Sequence, residues 1–208
     1  GGGASVTLMV RDRARGEAAA GALAGPHAVV VADLTDRATV IAACAEAVAR
    51  LGPVDILVNN AGAAESAPFL KSGPDLFERM IAVHLLGAVH ATQAILPSML
   101  ERAHGHVVNV ASMAGLTGVP YVTAYVAAKH ALVGLTRALA LEVGLRGVAV
   151  NAVCPGYTET GLVHEAIARI VAKTGKSEAE ALRSVLAGSG QARMVTVDEV
   201  AEAVLALC

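Results

Sequence analysis

The 208-residue chain has no tryptophan, two phenylalanines and three tyrosines, so aromatic side chains make up only 2% of it. Single-stranded nucleic acid binds on aromatic stacking platforms, and duplexes bind on basic stripes. With so few rings, and 16 Lys+Arg against 18 Asp+Glu for a formal net charge of -2, nucleic acid is not expected as a partner. Charge of either sign is scarce, at 16% of residues. A surface that weakly polar points to burial against further copies of the chain. Cysteine is confined to Cys44, Cys154 and Cys208, an odd count without CxxC spacing. That suits reduced thiols in a cytoplasm better than a disulfide framework. No charged segment followed by a short apolar run opens the sequence, so no export signal is read and a cytoplasmic location is expected.

What the chain has instead is aliphatic material. Apolar residues reach 55%, enough for a sizeable core built from Ala, Val, Leu and Ile. Two uncharged stretches, 80–100 and 105–128, are long enough to span a bilayer. The first carries His84, His90, Thr92, Gln93 and Pro97, and the second His106, Asn109, Ser112 and Pro120. Neither suits hydrocarbon, so both read as buried elements of a soluble protein with no membrane partner.

Apolar runs alternate with stretches of helical spacing. Buried strands are predicted at 6–10, 28–32, 54–58, 106–111 and 148–153. Helices are predicted at 12–23, 37–51, 75–100, 123–143, 161–173, 177–186 and 196–207. Asp36 is placed to cap the second helix, and Pro97 is expected to disturb the third. Strands that are continuous Val/Ile/Leu runs, alternating with helices, mean an α/β fold: a doubly wound, Rossmann-like parallel sheet in a single domain. Ligands in such sheets sit outside the carboxyl ends of the strands. Arg11, Asp33, Asn59 to Gly62, Ser112, Pro155 and Gly156 each follow a predicted strand.

Ser112, Tyr125 and Lys129 form the sharpest constellation. Tyr125 and Lys129 are four apart on a predicted helix and share a face, while Ser112 ends a strand. A free phenol has a pKa of about 10 and is almost wholly protonated at neutral pH. A nearby ammonium stabilises phenolate and is expected to lower that value. Tyr125 could then exchange a proton with a substrate oxygen that Ser112 hydrogen-bonds. Taken alone, the pattern equally describes a surface Tyr–Lys pair and a strand-end serine.

The surrounding motifs resemble those of the classical short-chain dehydrogenases/reductases. Asn59-Asn60-Ala61-Gly62 resembles that family's NNAG motif. Ser112, thirteen residues before Tyr125, with Lys129 four further on, resembles its catalytic serine and YxxxK. The run 151–156 followed by Thr158 and Thr160 resembles its nicotinamide-side segment, and Asp33-Leu34 its adenine-contacting pair. The resemblance covers essentially the whole chain. It implies hydride transfer between a nicotinamide and a carbonyl/alcohol pair, with Tyr125 as acid/base, Ser112 positioning the substrate, and Lys129 holding the ribose and tuning Tyr125. The implied cofactor-binding set is Arg11, Asp33, Leu34, Asn59, Asn60, Ala61, Gly62, Tyr125, Lys129, Pro155, Gly156, Thr158 and Thr160. Asn109 is then a structural strand-end residue. Arg11 stands where an arginine holds a 2′-phosphate, so NADP(H) is expected rather than NAD(H). The other reading of Arg11 is a solvated side chain. The small, aliphatic segments 115–122 and 158–190 are expected to set substrate choice, favouring an apolar or acyl-bearing ketone as in 3-oxoacyl and polyketide ketoreductases. The runner-up is a dinucleotide-binding scaffold or sensor with little turnover.

Two departures stand out. The family's V-N-L-x-G reads Val83-His84-Leu85-Leu86-Gly87 here. His84 is expected either to replace the asparagine of a proton relay, shifting the pH optimum by its own titration, or simply to pack as a buried histidine. The family's opening strand and glycine-rich turn are also absent, because the run Gly1 to Gly3 is followed by a strand rather than a helix. The 208 residues are therefore expected to be one domain lacking its first βα unit and its last strand. His104 and His106 are weak metal candidates without a carboxylate or cysteine cluster, and no metal is expected. Ser112 lies in ASMAG rather than a GxSxG elbow, which argues against a hydrolase. Tyr121 and Tyr157 flank the expected pocket. The largely apolar helix at 123–143 calls for burial on both sides, and the family's long helices form subunit contacts, so a homotetramer or homodimer is expected.

Overall fold

The computed structural model describes residues 3–208, so Gly1 and Gly2 of the opening glycine run lie outside the described residues. Five strands form where the aliphatic runs predict them: β1 (Val6–Val10), β2 (His27–Val31), β3 (Ile56–Asn59), β4 (Gly105–Val110) and β5 (Val148–Val153). All pair in parallel. β1 lies on β2, with Val6 opposite His27 and Val10 opposite Val31. β4 lies between β3 and β5, with Val107 opposite both Leu57 and Val150. The expected doubly wound arrangement is therefore realised as two parallel sheets of two and three strands, and β1 and β3 are not paired among the described residues. Ile56 and Val58 on β3 remain 42% exposed, unusual for a parallel sheet whose strands are normally covered on both faces.

Helices α1 (Arg13–Ala20) and α2 (Arg37–Leu51) cross between the first strands. Asp12 and Asp36 start them by accepting hydrogen bonds from the backbone N–H of Arg15 and Ala38. The helix expected at 75–100 is divided into α3 (Pro74–Ile81) and α4 (Gly87–Arg102) by a wide π turn at Ala82–Leu86. Pro97 does not break it, contrary to expectation: α4 continues through that position to Arg102. By length and composition the whole helical run Pro74–Arg102 could cross a membrane, yet here it packs against α2, β3 and β4. The remaining helices are α5 (Thr123–Val143), α6 (Gly161–Thr174), α7 (Glu178–Ser189) and α8 (Val197–Leu205). The two short helices α7 and α8 carry reciprocal capping boxes, Ser177 with Glu180 and Thr196 with Glu199.

The main core gathers Val30, Val40, Met99, Val107, Val143 and Val148, each nearly or fully buried. Burying a side chain of this size contributes about 1.5–3 kcal/mol. A polar ladder runs through this apolar interior. Asn59 Nδ2 donates to Asn109 Oδ1 at 2.8 Å, Asn109 Nδ2 donates to Thr136 Oγ1 at 2.8 Å, and the Thr136 hydroxyl donates to Leu132 O at 2.8 Å. Each buried polar group finds a partner, so the ladder fixes β3, β4 and α5 in register. It also holds the carboxyl ends of β3 and β4 at one level beside the middle of α5.

Candidate active site

Ser112 lies two residues beyond β4, and its Oγ accepts from the backbone N–H of Ala114 at 3.1 Å, capping a short 3-10 turn. That turn packs on α5. A Cβ on Gly115 would come within 2.8 Å of the Lys129 carbonyl oxygen, so glycine permits a close approach that places Ser112 next to α5. Tyr125 and Lys129 sit one helical turn apart on the same face. Lys129 is almost fully buried, and its Nζ donates to Val110 O at 2.8 Å and lies 5.7 Å from the centre of the Tyr125 ring. Burial disfavours the ammonium and lowers the Lys129 pKa to about 8, although the nearby Cys154 thiol works against that shift.

Tyr125 departs from the expectation drawn from its lysine neighbour. Burial pushes its phenol pKa up, the Ser112 hydroxyl opposes this, and Tyr157 reinforces it. Desolvation of the phenolate is the largest of these effects, and the expected lowering is not found, so Tyr125 holds its proton at neutral pH.

His84 lies in the π turn, is 3% exposed, and meets Tyr125 edge to face with ring centres 5.1 Å apart. Its Nε2 is 2.6 Å from Ala63 O and 3.4 Å from Ala63 N, and the much shorter contact to oxygen assigns the proton to Nε2. Nδ1 is then a bare acceptor, and it is buried without a partner. A Cβ on Gly62 would come within 2.6 Å of His84 Cε1, so the glycine of Asn59-Asn60-Ala61-Gly62 gives the histidine its room. Burial first, and then the Lys129 charge, lower the His84 pKa to about 4. The expected shift of a near-neutral pH optimum by His84 titration is therefore corrected: the ring is neutral throughout the physiological range.

The other predicted residues lie beyond the carboxyl ends of the strands of both sheets. Arg11 and Asp12 follow β1. Arg11 is exposed, and its charge helps hold the Asp33 carboxyl below its ordinary value, after the larger effects of two hydrogen bonds from Thr35. Asp12 is turned away as the cap of α1. One Asp33 oxygen is engaged by Thr35, by backbone N–H at 2.9 Å and hydroxyl at 2.7 Å. Leu34 packs against Gly87, and its carbonyl lies 3.1 Å from His90 Nδ1. Asn60, Ala61 and Gly62 are exposed, but the Asn59 amide is committed to the buried ladder, which gives that residue a structural part rather than an open one. Pro155, Gly156, Thr158 and Thr160 are half-buried beyond β5, with the Thr158 hydroxyl on Gly156 O at 3.1 Å. His104 and His106 face each other at 6.1 Å, and no cluster of three metal-ligating side chains exists among the described residues.

Two features escape sequence reasoning. One is the π turn, which has no compositional signature and turns His84 towards Tyr125. The other is Gln191, whose amide holds Gly156 and Tyr157 from 34 residues away in the chain. A cavity of about 250 Å³ between α5 and β5, lined by Leu116, Thr136, Arg137 and Cys154 among others, contains none of Ser112, Tyr125 and Lys129.

Comparison with known proteins bears on the fold and the family. A family model described as short chain dehydrogenase matches residues 2–170. The chain is 40% identical over 205 residues to "Inactive 2-(S)-hydroxypropyl-CoM dehydrogenase 2" of Xanthobacter autotrophicus, spanning 99% of this chain and 87% of that one. It is 37% identical over 177 residues to a D-beta-hydroxybutyrate dehydrogenase of Rhizobium meliloti, spanning 85% of this chain and 69% of that one. Among solved structures it superposes on an actinorhodin polyketide ketoreductase with NADPH at a TM-score of 0.88 and 32% identity, over 97% of this chain and 79% of that one.

Proposed function

The chain belongs to the short chain dehydrogenase family, and from that premise we propose that it is an NADP(H)-dependent oxidoreductase interconverting an apolar or acyl-bearing ketone and a secondary alcohol. The observation that carries this reading is the convergence of Ser112, Tyr125 and Lys129 at the carboxyl end of β4, with Tyr125 kept protonated by burial.

The residues present fit a nicotinamide dinucleotide along the strand ends. The Arg11 guanidinium stands exposed after β1 for a 2′-phosphate, Asn60 to Gly62 offer an open backbone wall, and Pro155 to Thr160 border the catalytic end. No glycine-rich turn from strand to helix occurs among the described residues, so the pyrophosphate is assigned no partner here. The nicotinamide, when bound, supplies or accepts the hydride. Tyr125 donates its proton to the carbonyl oxygen during reduction, and Ser112 hydrogen-bonds that same oxygen. Lys129 stays charged below about pH 8 and favours charge developing on the Tyr125 oxygen. His84 transfers no proton in this scheme. Its Nε2–H holds Ala63 and its ring packs edge to face on Tyr125, which makes it a positioning residue.

The ketoreductase and hydroxybutyrate dehydrogenase relatives support the acyl-bearing ketone, as does the aliphatic character of 115–122 and 158–190. A relative named inactive at 40% identity favours a second reading, a dinucleotide-binding protein with little turnover. Oxidation of NADPH in the presence of a ketone panel separates the two. Turnover of any panel member supports the enzyme, and tight NADPH binding without turnover supports the scaffold. The protein is further proposed to assemble as a homodimer or homotetramer through the outward faces of α4 and α5.

A further inference from the structure

Helices α6 and α7 leave and rejoin the body of the protein at one place, beyond the carboxyl end of β5. Val195 N–H donates to Tyr157 O at 2.8 Å, Glu159 N–H donates to Val195 O at 2.9 Å, and Thr158 pairs in parallel with Val195. The Gln191 carboxamide completes this junction. Its Oε1 accepts from Tyr157 N–H at 2.8 Å and from the Ser189 hydroxyl at 3.2 Å. Its Nε2 donates to Arg193 O at 3.3 Å and towards Tyr157 O at 3.5 Å. Both ends of the amide are thus engaged, the oxygen by Tyr157 N–H and the nitrogen by Arg193 O. Gly156 lies beneath it: a Cβ there would come within 2.5 Å of Gln191 Cδ and 2.6 Å of Nε2. On the other side of the same segment, Met113 N–H donates to Pro155 O at 2.8 Å. A chain of hydrogen bonds thus runs from the neighbour of Ser112, through residues 155–157, to Gln191. Tyr157, half-buried, therefore stands two residues beyond the carbonyl that bonds the turn carrying Ser112.

We propose that Gln191 is a specificity-determining positioning residue: by holding Tyr157 at its backbone N–H, it fixes the Tyr157 ring as the wall next to the Ser112 turn against which the acyl group of the ketone packs. The assignment rests on the acyl-ketone reading above. Glutamate at 191 keeps the acceptor but turns a carboxylate oxygen on the carbonyls of Tyr157 and Arg193, which repels the segment. Methionine keeps the length and removes the amide's hydrogen bonds.

The test is steady-state reduction of ethyl 3-oxobutanoate and ethyl 3-oxooctanoate by NADPH, with wild type, Gln191→Glu, Gln191→Met and Tyr157→Ala. The ratio of kcat/KM for the two esters is expected to move about tenfold or more in all three variants, as a loosened pocket wall requires. In the two Gln191 variants the change lies mainly in KM. Measuring both keeps the outcome readable where one of them misfolds. A wild-type ratio in an active Gln191 variant overturns the inference, and so does a shift with Tyr157→Ala alone. Wild type that binds NADPH and reduces neither ester overturns the acyl-ketone reading instead.

Discussion

Tyr125 and His84 owe their chemistry to burial more than to their neighbours' charges. A phenol pushed up by desolvation is a proton donor at neutral pH, which suits ketone reduction. Tyr125→Phe removes that donor, and kcat/KM for reduction, followed by NADPH absorbance, is expected to fall by about 10²–10⁴ while NADPH still binds. The Lys129 charge sets the alkaline limit: the rate of reduction should decline above about pH 8, where the ammonium is lost. His84 makes a separate prediction about stability. Its folded pKa of about 4 lies below the ordinary 6.5, so the unfolded chain binds the proton more tightly. Stability is therefore complete above pH 6.5 and is lost as pH falls through 4, by up to about 3 kcal/mol from this group. Urea unfolding at neutral pH and near pH 4 should show this loss in wild type and a smaller one in His84→Asn. An equal loss in both proteins would remove His84 as the cause.

The elements that build the site were legible in the sequence to different degrees. Continuous Val and Leu runs announce β1, β2, β4 and β5 because strands buried on both faces need no alternation. Helix α5 was legible to its ends, since Gly144 and Gly147 punctuate an unbroken apolar stretch. The division between α3 and α4 was not, because a π turn depends on one extra residue of backbone spacing rather than on a breaker, and Pro97 drew attention to the wrong place. The serine, tyrosine and lysine could be read from spacing. Gln191 could not, because a clasp between segments 34 residues apart leaves no local periodicity. Close backbone approach gives the element-scale prediction. Gly115→Ala puts a methyl group against the Lys129 carbonyl, which cannot yield without moving α5. Overpacking of this kind costs about 1–3 kcal/mol, so the urea midpoint should fall and turnover with it. A variant with wild-type midpoint and rate would show that the 3-10 turn and α5 are not tightly coupled.

At the scale of the molecule, the scarcity of charge finds its counterpart on α5. Ala127, His130, Gly134, Ala138 and Leu141 recur along one exposed helical stripe, with Leu141 86% and Leu145 102% exposed. Sedimentation should find a dimer or tetramer that Leu141→Glu weakens, and a wild-type protein that sediments only as a monomer would refute the proposed assembly. Arg11 bears on the cofactor as a whole. Arg11→Ala should weaken NADPH binding about 10- to 100-fold relative to NADH, the worth of charge-assisted hydrogen bonds to a phosphate. The most direct test of the account is transfer of deuterium from nicotinamide-deuterated NADPH to a ketone panel, read by mass spectrometry of the alcohol for wild type and Tyr125→Phe. The account predicts a deuterated secondary alcohol with wild type and a loss of at least about 100-fold with the variant. Deuterated alcohol formed equally well by Tyr125→Phe, or none formed by wild type that binds NADPH, would contradict it.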